Sequence, residues 1–442
     1  MKKYISQLSS SQIIILGFAA LILLGTVLLC LPFSTQARQW TSFSDALFTA
    51  TSAVCVTGLI VHDTASYWSG FGQAVIILLI QIGGMGVVTV AVALSTLSGQ
   101  KVSLKQRSTM QESISAHNMG GIVELTGFII RTSLLIELIG AAVMFPTFYR
   151  DFGFGKGLWY SLFHSVSAFC NAGFDLMGVR SPYSSLTHYI SHPIINLTIV
   201  TLIVVGGIGF LTWEDIRRCK TDLRRYRMQS KVILTSTAVL LLLPALYFYF
   251  FEFGSLPAGQ RFWAALFQSA TARTAGFNTA DLTLLTESGI VIMVVLMLIG
   301  GSPGSTAGGM KTTTFAVMCS TAISVFRHRS HTHFFGRRID GDTVRSAATI
   351  VTMYTGLLIV GTVIISRTEQ LPFVTCLFET ASAVATVGLT LGITPQLGLL
   401  SRMILIALMY LGRVGGLTII FATMSRNRHL TAMLPQEKLT VG

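Results

Sequence analysis

The chain is 442 residues long, 52% hydrophobic and only 11% charged, with a mean hydropathy of +0.68. A soluble protein carries roughly a quarter charged residues, so a large water-soluble fold is excluded. The net charge of +13 would suit a nucleic-acid partner, but the basic residues cluster in a way that fits a membrane surface instead.

Apolar runs recur along the chain, at residues 13–31, 71–97, 122–145, 193–211, 232–253, 289–300, 347–365 and 403–424. About 20 apolar residues cross the hydrocarbon of a bilayer, so most of these predict spanning helices. Lys2 and Lys3 precede the first run, which reads as a span because no small-x-small cleavage site precedes Pro32. The segments 2–3, 101–107, 217–231, 327–345 and 426–438 hold 20 of the 31 Lys and Arg residues, and they fall on one side if the spans alternate. That asymmetry predicts a multi-pass membrane protein with both termini in the cytoplasm.

The segments between paired runs are more informative. Four of them read alike: LFTATSAVCVTGL from Leu47, LFHSVSAFCNAGF from Leu162, LFQSATARTAGF from Leu266 and LFETASAVATVGL from Leu377. Their closing glycines, Gly58, Gly173, Gly276 and Gly388, are 115, 103 and 112 residues apart. A repeat at that period predicts one supersecondary unit used four times. Each unit is a span, a segment too short to cross, and a second span, which is the pattern of a re-entrant pore helix. Such a segment enters a bilayer only if its unpaired backbone faces protein or water. The expected fold is an all-α polytopic membrane protein of four covalently linked span–pore helix–span repeats about a pseudo-fourfold pore. The repeats are expected at 1–118, 119–228, 229–335 (with a broken second span) and 336–442, the last including a cytoplasmic C-terminus. Four glycines able to take positive φ would set a ring of carbonyl oxygens around the axis, a selectivity filter for a dehydrated cation.

These residues resemble the Trk/Ktr/HKT superfamily of potassium transporters, and most closely the membrane subunit of bacterial Ktr-type systems. The resemblance runs over nearly the whole chain and rests on FTATSAVCVTGL, QIGGMGVVTVAVAL, FHSVSAFCNAGF, GGIGF, ARTAGFN, GGSPGSTAGGMKTTT, FETASAVATVGLTLG and LGRVGGLT together. It implies potassium uptake across the bacterial inner membrane with sodium stimulation, a homodimer with one pore per protomer, and a cytoplasmic ring of nucleotide-binding regulatory subunits. The nucleotide is expected on that partner only and no cofactor in this chain; potassium is the transported ion. By position it puts the filter at Val56, Thr57 and Gly58; Asn171, Ala172 and Gly173; Thr274, Ala275 and Gly276; and Thr386, Val387 and Gly388. The preceding Cys55, Cys170, Arg273 and Ala385 join them. Gly58 resembles the potassium-selective members rather than those with Ser there. The four copies differ from one another, which leaves a pore for another monovalent cation such as sodium as the alternative.

The stretch Gly300, Gly301, Ser302, Pro303, Gly304, Ser305, Thr306, Ala307, Gly308, Gly309, Met310, Lys311 interrupts the second span of the third repeat. It matches G-x-S-x-G, but a nucleophile elbow needs a preceding strand and a histidine base. It approaches a phosphate-binding loop, but Met310 stands where the lysine belongs and Lys311 comes one residue late. The chain is therefore not expected to be an enzyme and has no catalytic residues. The resemblance implies an intramembrane gate here, with Arg413 associated with it. Inserting an arginine in a span costs about 2.5–3.5 kcal/mol. Two roles stay open for Arg413: a charge beneath the filter that repels cations or ties the broken segment's carbonyls, or an arginine that snorkels or packs at a helix interface. Arg273 is expected to brace the pore helices through carbonyls. Arg131 and Glu137, six apart, do not share a helix face and are expected to snorkel to the interface. Glu379 either braces the filter or draws cations to the mouth. The segment 217–231 is expected to meet lipid headgroups or the regulatory ring. The six cysteines and nine histidines show no disulfide frame or zinc spacing.

Overall fold

Ser9 starts the first helix: its hydroxyl accepts from the Gln12 N–H while the Gln12 side chain accepts from the Ser9 N–H, a reciprocal cap on α1 (Ser10–Cys30). The computed structural model describes residues 8–98, 102–114, 120–415 and 418. The basic clusters at 2–3 and 426–438, Lys101, and the end of the expected span 403–424 lie outside the described residues.

The regular structure of the described residues is helical, apart from a small hairpin of β1 (His333–Phe334) and β2 (Arg337–Arg338). After α1 come the short re-entrant helix α2 (Phe43–Val54), then α3 (Gly70–Met85) and α4 (Val87–Leu97). An interfacial α5 (Leu104–Ser113) leads to α6 (Ile122–Phe169), which Gly153 at φ +76 divides into a span and a pore helix. Next are α7 (Pro193–Gly207) and α8 (Phe210–Cys219), then α9 (Met228–Tyr247), α10 (Ala258–Thr271), α11 (Glu287–Leu298) and α12 (Thr312–Phe326). The last repeat is α13 (Gly341–Glu369), α14 (Phe373–Val384) and α15 (Leu399–Val414). The unit of span, short helix and span thus occurs four times. The first spans of the four units, α1, α6, α9 with its continuation to Glu252, and α13, are each long and apolar enough to cross a membrane.

The second spans behave differently from the sequence expectation, which placed a break only in the third. The first and second repeats also break: α3 turns into α4 by 94° and α7 into α8 by 96°. The hinge is one glycine in each case, Gly86 at φ +88, ψ +131 and Gly209 at φ +89, ψ +143, and Gly415 ends α15 at φ +88, ψ +132. Only glycine takes these angles without a Cβ penalty. Three residues before each hinge stands another glycine that packs against the end of a pore helix. A Cβ on Gly83, Gly206 or Gly412 would lie 2.0, 2.0 or 2.1 Å from the carbonyl oxygen of Val54, Phe169 or Val384. Gly-Gly-Met-Gly, Gly-Gly-Ile-Gly and Gly-Arg-Val-Gly are therefore one device, and Arg413 occupies the position held by Gly84 and Gly207.

Burial is inverted relative to a soluble fold. The pore helices are small and polar yet buried, as in the run Phe378 to Val384 of α14. Large aliphatics on the spans are exposed, among them Leu24 on α1, Leu135 and Leu138 on α6, Leu243 on α9 and Val360 on α13. Exposed apolar area on this scale is disfavoured in water and is met by hydrocarbon.

Candidate pore and intramembrane loop

Each pore helix ends in the same way. Cys55, Cys170 and Ala385 cap α2, α6 and α14 in helical geometry, and the next residue turns left-handed: Val56 at φ +51, Asn171 at +58 and Thr386 at +54. The third copy reaches the same conformation at Thr274, φ +64, after Arg273. The closing glycines follow at φ +92, +70, +82 and +92 for Gly58, Gly173, Gly276 and Gly388. The third copy is one residue shorter, and its hydrogen bonding records that. Thr57, Ala172 and Val387 donate their N–H to Ser52, Ser167 and Ser382, five residues back, at 2.8 Å, whereas Ala275 donates to Thr271, four back, at 3.0 Å.

These four segments close on one another. A Cβ on Gly58 would lie 2.4 Å from the Ala172 carbonyl oxygen, on Gly173 2.6 Å from that of Ala275, on Gly276 2.5 Å from that of Val387, and on Gly388 2.1 Å from that of Thr57. Each glycine thus abuts the carbonyl preceding the next glycine, and the fourth returns to the first. Four pore helices deliver their C-terminal ends to this ring, and the partial negative charge of a helix end favours cations there.

The sequence reading missed the residues that hold these segments in place. Ser52 and Ser382 hydroxyls accept from the N–H of Gly58 and Gly388 at 3.1 and 3.0 Å, and Ser167 and Thr271 donate to the carbonyls of Phe174 and Phe277 at 2.7 and 2.5 Å. The available signal was a hydroxyl five or six residues before every closing glycine. A second layer is the residue after each Leu-Phe pair, polar and buried in all four copies: Thr49, His164, Gln268 and Glu379. The Leu176 N–H donates to Nε2 of His164 at 3.3 Å, which assigns the ring proton to Nδ1, 2.7 Å from the Tyr160 carbonyl. Glu379 accepts from Thr390 at 2.7 Å and from Thr394, both just beyond Gly388. Of its two open roles, these bonds favour the brace. Two residues beyond Gly173, burial followed by the nearby Asp63 charge pushes the Asp175 carboxyl up to about 7, against the opposing Met177 N–H.

Replacing Glu379 with glutamine leaves only one of the two side-chain oxygens that accept from these hydroxyls. A hydrogen bond contributes about 0.5–1.5 kcal/mol, so the variant is expected to melt at lower temperature and to discriminate less between cations. An unchanged thermal midpoint with unchanged ion preference would show that Glu379 does not hold the fourth segment.

Arg273 contributes backbone to the third segment, but its side chain leaves the ring and donates to the Thr237 hydroxyl of α9 at 3.4 Å, rather than to carbonyls as expected. Glu137 also departs from expectation. It is 2% exposed and accepts from the Gln81 side chain at 3.0 and 3.2 Å. Its partner lies on α3, so the spacing within its own helix carried no information about it. Arg131 is exposed on the outer face of α6.

Beneath the ring, residues 299–311 form no helix and fold into the space between the broken spans. The loop is bonded to the second repeat: Ser302 N–H to the Gly207 carbonyl at 2.9 Å, Thr306 Oγ1 to that of Phe169 at 3.0 Å, and Phe210 N–H to that of Gly304 at 2.7 Å. It touches the fourth repeat through glycines, since a Cβ on Gly308 would meet Thr386 Oγ1 at 2.0 Å and one on Gly309 the Ala385 carbonyl at 2.8 Å. Within the loop Gly300 N–H reaches the Met310 carbonyl at 2.8 Å, Thr312 N–H that of Gly301 at 3.1 Å, and Lys311 Nζ that of Ala307 at 2.7 Å. Arg413 donates to the Thr306 carbonyl, to that of Gly83, and to that of Gly84 at 3.0 Å. One guanidinium therefore joins the loop to the break in the first repeat, which favours the carbonyl-tying role over simple interface packing.

Ring and loop separate two cavities. One of about 360 Å³ is lined by Gly276, Gly388, Asn278 and Asp281. Another of about 270 Å³ is lined by Gly304, Ala307, Lys311 and Arg413.

Four re-entrant helices converging on a closed backbone ring, inside spans whose outer faces are apolar, define a multi-pass membrane protein of fourfold internal repeat. Residues 8–430 match the family described as TrkH: Cation transport protein. The chain belongs to that family and is a cation transporter of the Ktr/Trk type, not an enzyme. It is 37% identical to the potassium/sodium uptake protein NtpJ of Enterococcus hirae, over 100% of this chain and 99% of that protein. It is 39% identical to the Ktr system potassium uptake protein B of Bacillus subtilis, over 93% of this chain and 92% of that protein. The same-named protein of Vibrio alginolyticus is 36% identical over 98% and 94%. The solved potassium transporter TrkH from Vibrio parahaemolyticus shares the fold with a TM-score of 0.72 at 19% identity, covering 92% of this chain and 84% of that one.

Proposed function

We propose that this chain takes up potassium across the bacterial inner membrane through a filter made of residues 55–58, 170–173, 273–276 and 385–388. The observation that carries the reading is the closed ring of four glycines, each seated against the neighbouring segment's carbonyl. Backbone carbonyls held in such a ring replace the hydration shell of a dehydrated cation. The carbonyls of Thr57, Ala172, Ala275 and Val387 are the ligands in this reading. The loop 300–311 is the gate, held shut by Arg413 and Lys311.

Unlike side chains on the four segments fit weaker discrimination than four identical copies give. A relative named for both potassium and sodium favours sodium as a second transported or stimulating ion. The positive-inside asymmetry supports cytoplasmic termini. Relatives named as Ktr system proteins support a cytoplasmic regulatory partner that carries the nucleotide, with none bound by this chain, and a homodimer is the proposed assembly. The test is growth and rubidium uptake in cells lacking other potassium systems, with and without sodium. Restored growth at low potassium supports the reading, and rescue that needs only sodium would replace potassium by sodium as the cargo.

A further inference from the structure

A cavity of about 520 Å³ lies between the start of α6 and α8, at the end of the molecule that carries the basic linkers. Gly120 and Gly121 form one lip with nothing within 4 Å of either Cβ position, and the first turn of α6 that follows has no side-chain cap among the described residues. The facing wall is Arg217, Arg218 and Arg227. Arg227 is engaged, with Nη2 2.6 Å from Glu214 and Nε 3.2 Å from Asp215. Arg217 and Arg218 form no ion pair among the described residues. The Arg217 guanidinium lies over the Phe128 ring at 4.8 Å, which fixes it at the cavity wall. Two guanidinium groups outside any ion pair line one cavity with the start of α6, a phosphate-binding arrangement.

The shape of the surroundings selects the source of the phosphate. Phe128, Arg131, Leu135 and Leu138 follow one another at helical spacing down a single face of α6. Leu135 and Leu138 are 58% and 59% exposed, on the side that meets hydrocarbon. The ten helical steps from Phe128 to Leu138 give a track about 15 Å long, running from the guanidinium groups along the membrane-facing surface. A soluble anion has no use for such a track, whereas a phospholipid places its headgroup in the cavity and its acyl chains on the track. Glu124 also lines the cavity; it disfavours a doubly charged phosphate monoester and accepts hydrogen bonds from headgroup hydroxyls. We propose that this cavity is a specific site for an anionic phospholipid, with the phosphodiester of phosphatidylglycerol on Arg217 and Arg218 and its glycerol hydroxyls toward Glu124. α8 is tied to the loop by the Phe210 N–H on the Gly304 carbonyl, so the headgroup sits on an element in contact with the ion path.

The experiment is native mass spectrometry of the purified full-length protein exchanged into mixtures of phosphatidylglycerol and phosphatidylethanolamine, with inorganic phosphate as competitor. The wild type is expected to retain phosphatidylglycerol in preference to phosphatidylethanolamine and not to release it to inorganic phosphate. R217Q/R218Q should weaken retention roughly thirtyfold, given the contribution of each arginine near an anionic lipid surface. R329Q/R345Q, with the same charge loss outside the cavity, should bind as the wild type. If R217Q/R218Q does not fold, Phe128→Ala tests the same wall without removing a charge and should weaken retention several-fold. Equal loss in both double variants, wild-type retention in R217Q/R218Q or in Phe128→Ala, no preference over phosphatidylethanolamine, or ready displacement by inorganic phosphate would each overturn the proposal.

Discussion

Gly388→Ser should abolish selective potassium uptake while the protein still reaches the membrane. The residue sits at φ +92, where a side chain is strained, and a Cβ there would lie 2.1 Å from the Thr57 carbonyl oxygen. Backbone strain alone costs about 1–3 kcal/mol. The carbonyl contact has no flexible side chain to yield, so the first segment itself must move. Displacing that carbonyl breaks the ring at the seam between the fourth and first repeats. The expected result is a fall in rubidium uptake of tenfold or more, with loss of preference for potassium over sodium. Gly392→Ser is the matched control, because Gly392 has φ +91 but nothing within 4 Å of its Cβ position. It carries the same strain without touching the ring and should keep its selectivity. Matching loss in the two variants would show that strain, not the ring, sets the outcome, and wild-type selectivity in Gly388→Ser would remove Gly388 from the filter.

Arg413→Ala should raise cation flux. In the structure this guanidinium is bonded to the loop at Thr306 and to the broken first repeat at Gly83 and Gly84. Losing even one charge-assisted bond, about 1.5 kcal/mol, shifts a two-state opening equilibrium by about tenfold. Deleting residues 302–308 removes the obstruction more completely and should raise flux further. Stopped-flow measurement of potassium efflux from vesicles separates the outcomes. Unchanged or lower flux in both variants, with normal amounts of folded protein, would rule out the loop as a gate. A rise in the deletion alone would keep the gate and discard Arg413 as its latch.

Much of the architecture was legible because the chain repeats itself. The Leu-Phe…Gly segments announced the pore helices, and the shorter third copy reappears as a hydrogen bond four residues long instead of five. The breaks at Gly86 and Gly209 were not read, because hydropathy sees 71–97 and 193–211 as continuous apolar runs. A bend made by a single positive-φ glycine changes neither length nor polarity. The signal was present in the shared Gly-x-x-Gly spacing of Gly83 to Gly86, Gly206 to Gly209 and Gly412 to Gly415. Glu137 was misread for another reason: its hydrogen-bond partner Gln81 is on α3, and spacing rules within a helix say nothing of a neighbour 56 residues earlier. Arg273 was assigned the wrong side-chain partner, since Thr237 belongs to the preceding span.

The ring closed by Gly58, Gly173, Gly276 and Gly388 is proposed to select potassium. Its most direct test is the reversal potential of the purified chain in vesicles with potassium on one side and sodium on the other. The expected potential is displaced toward the potassium equilibrium value in the wild type and collapsed toward zero in Gly388→Ser. A wild-type potential near zero, or one displaced toward sodium, would contradict it.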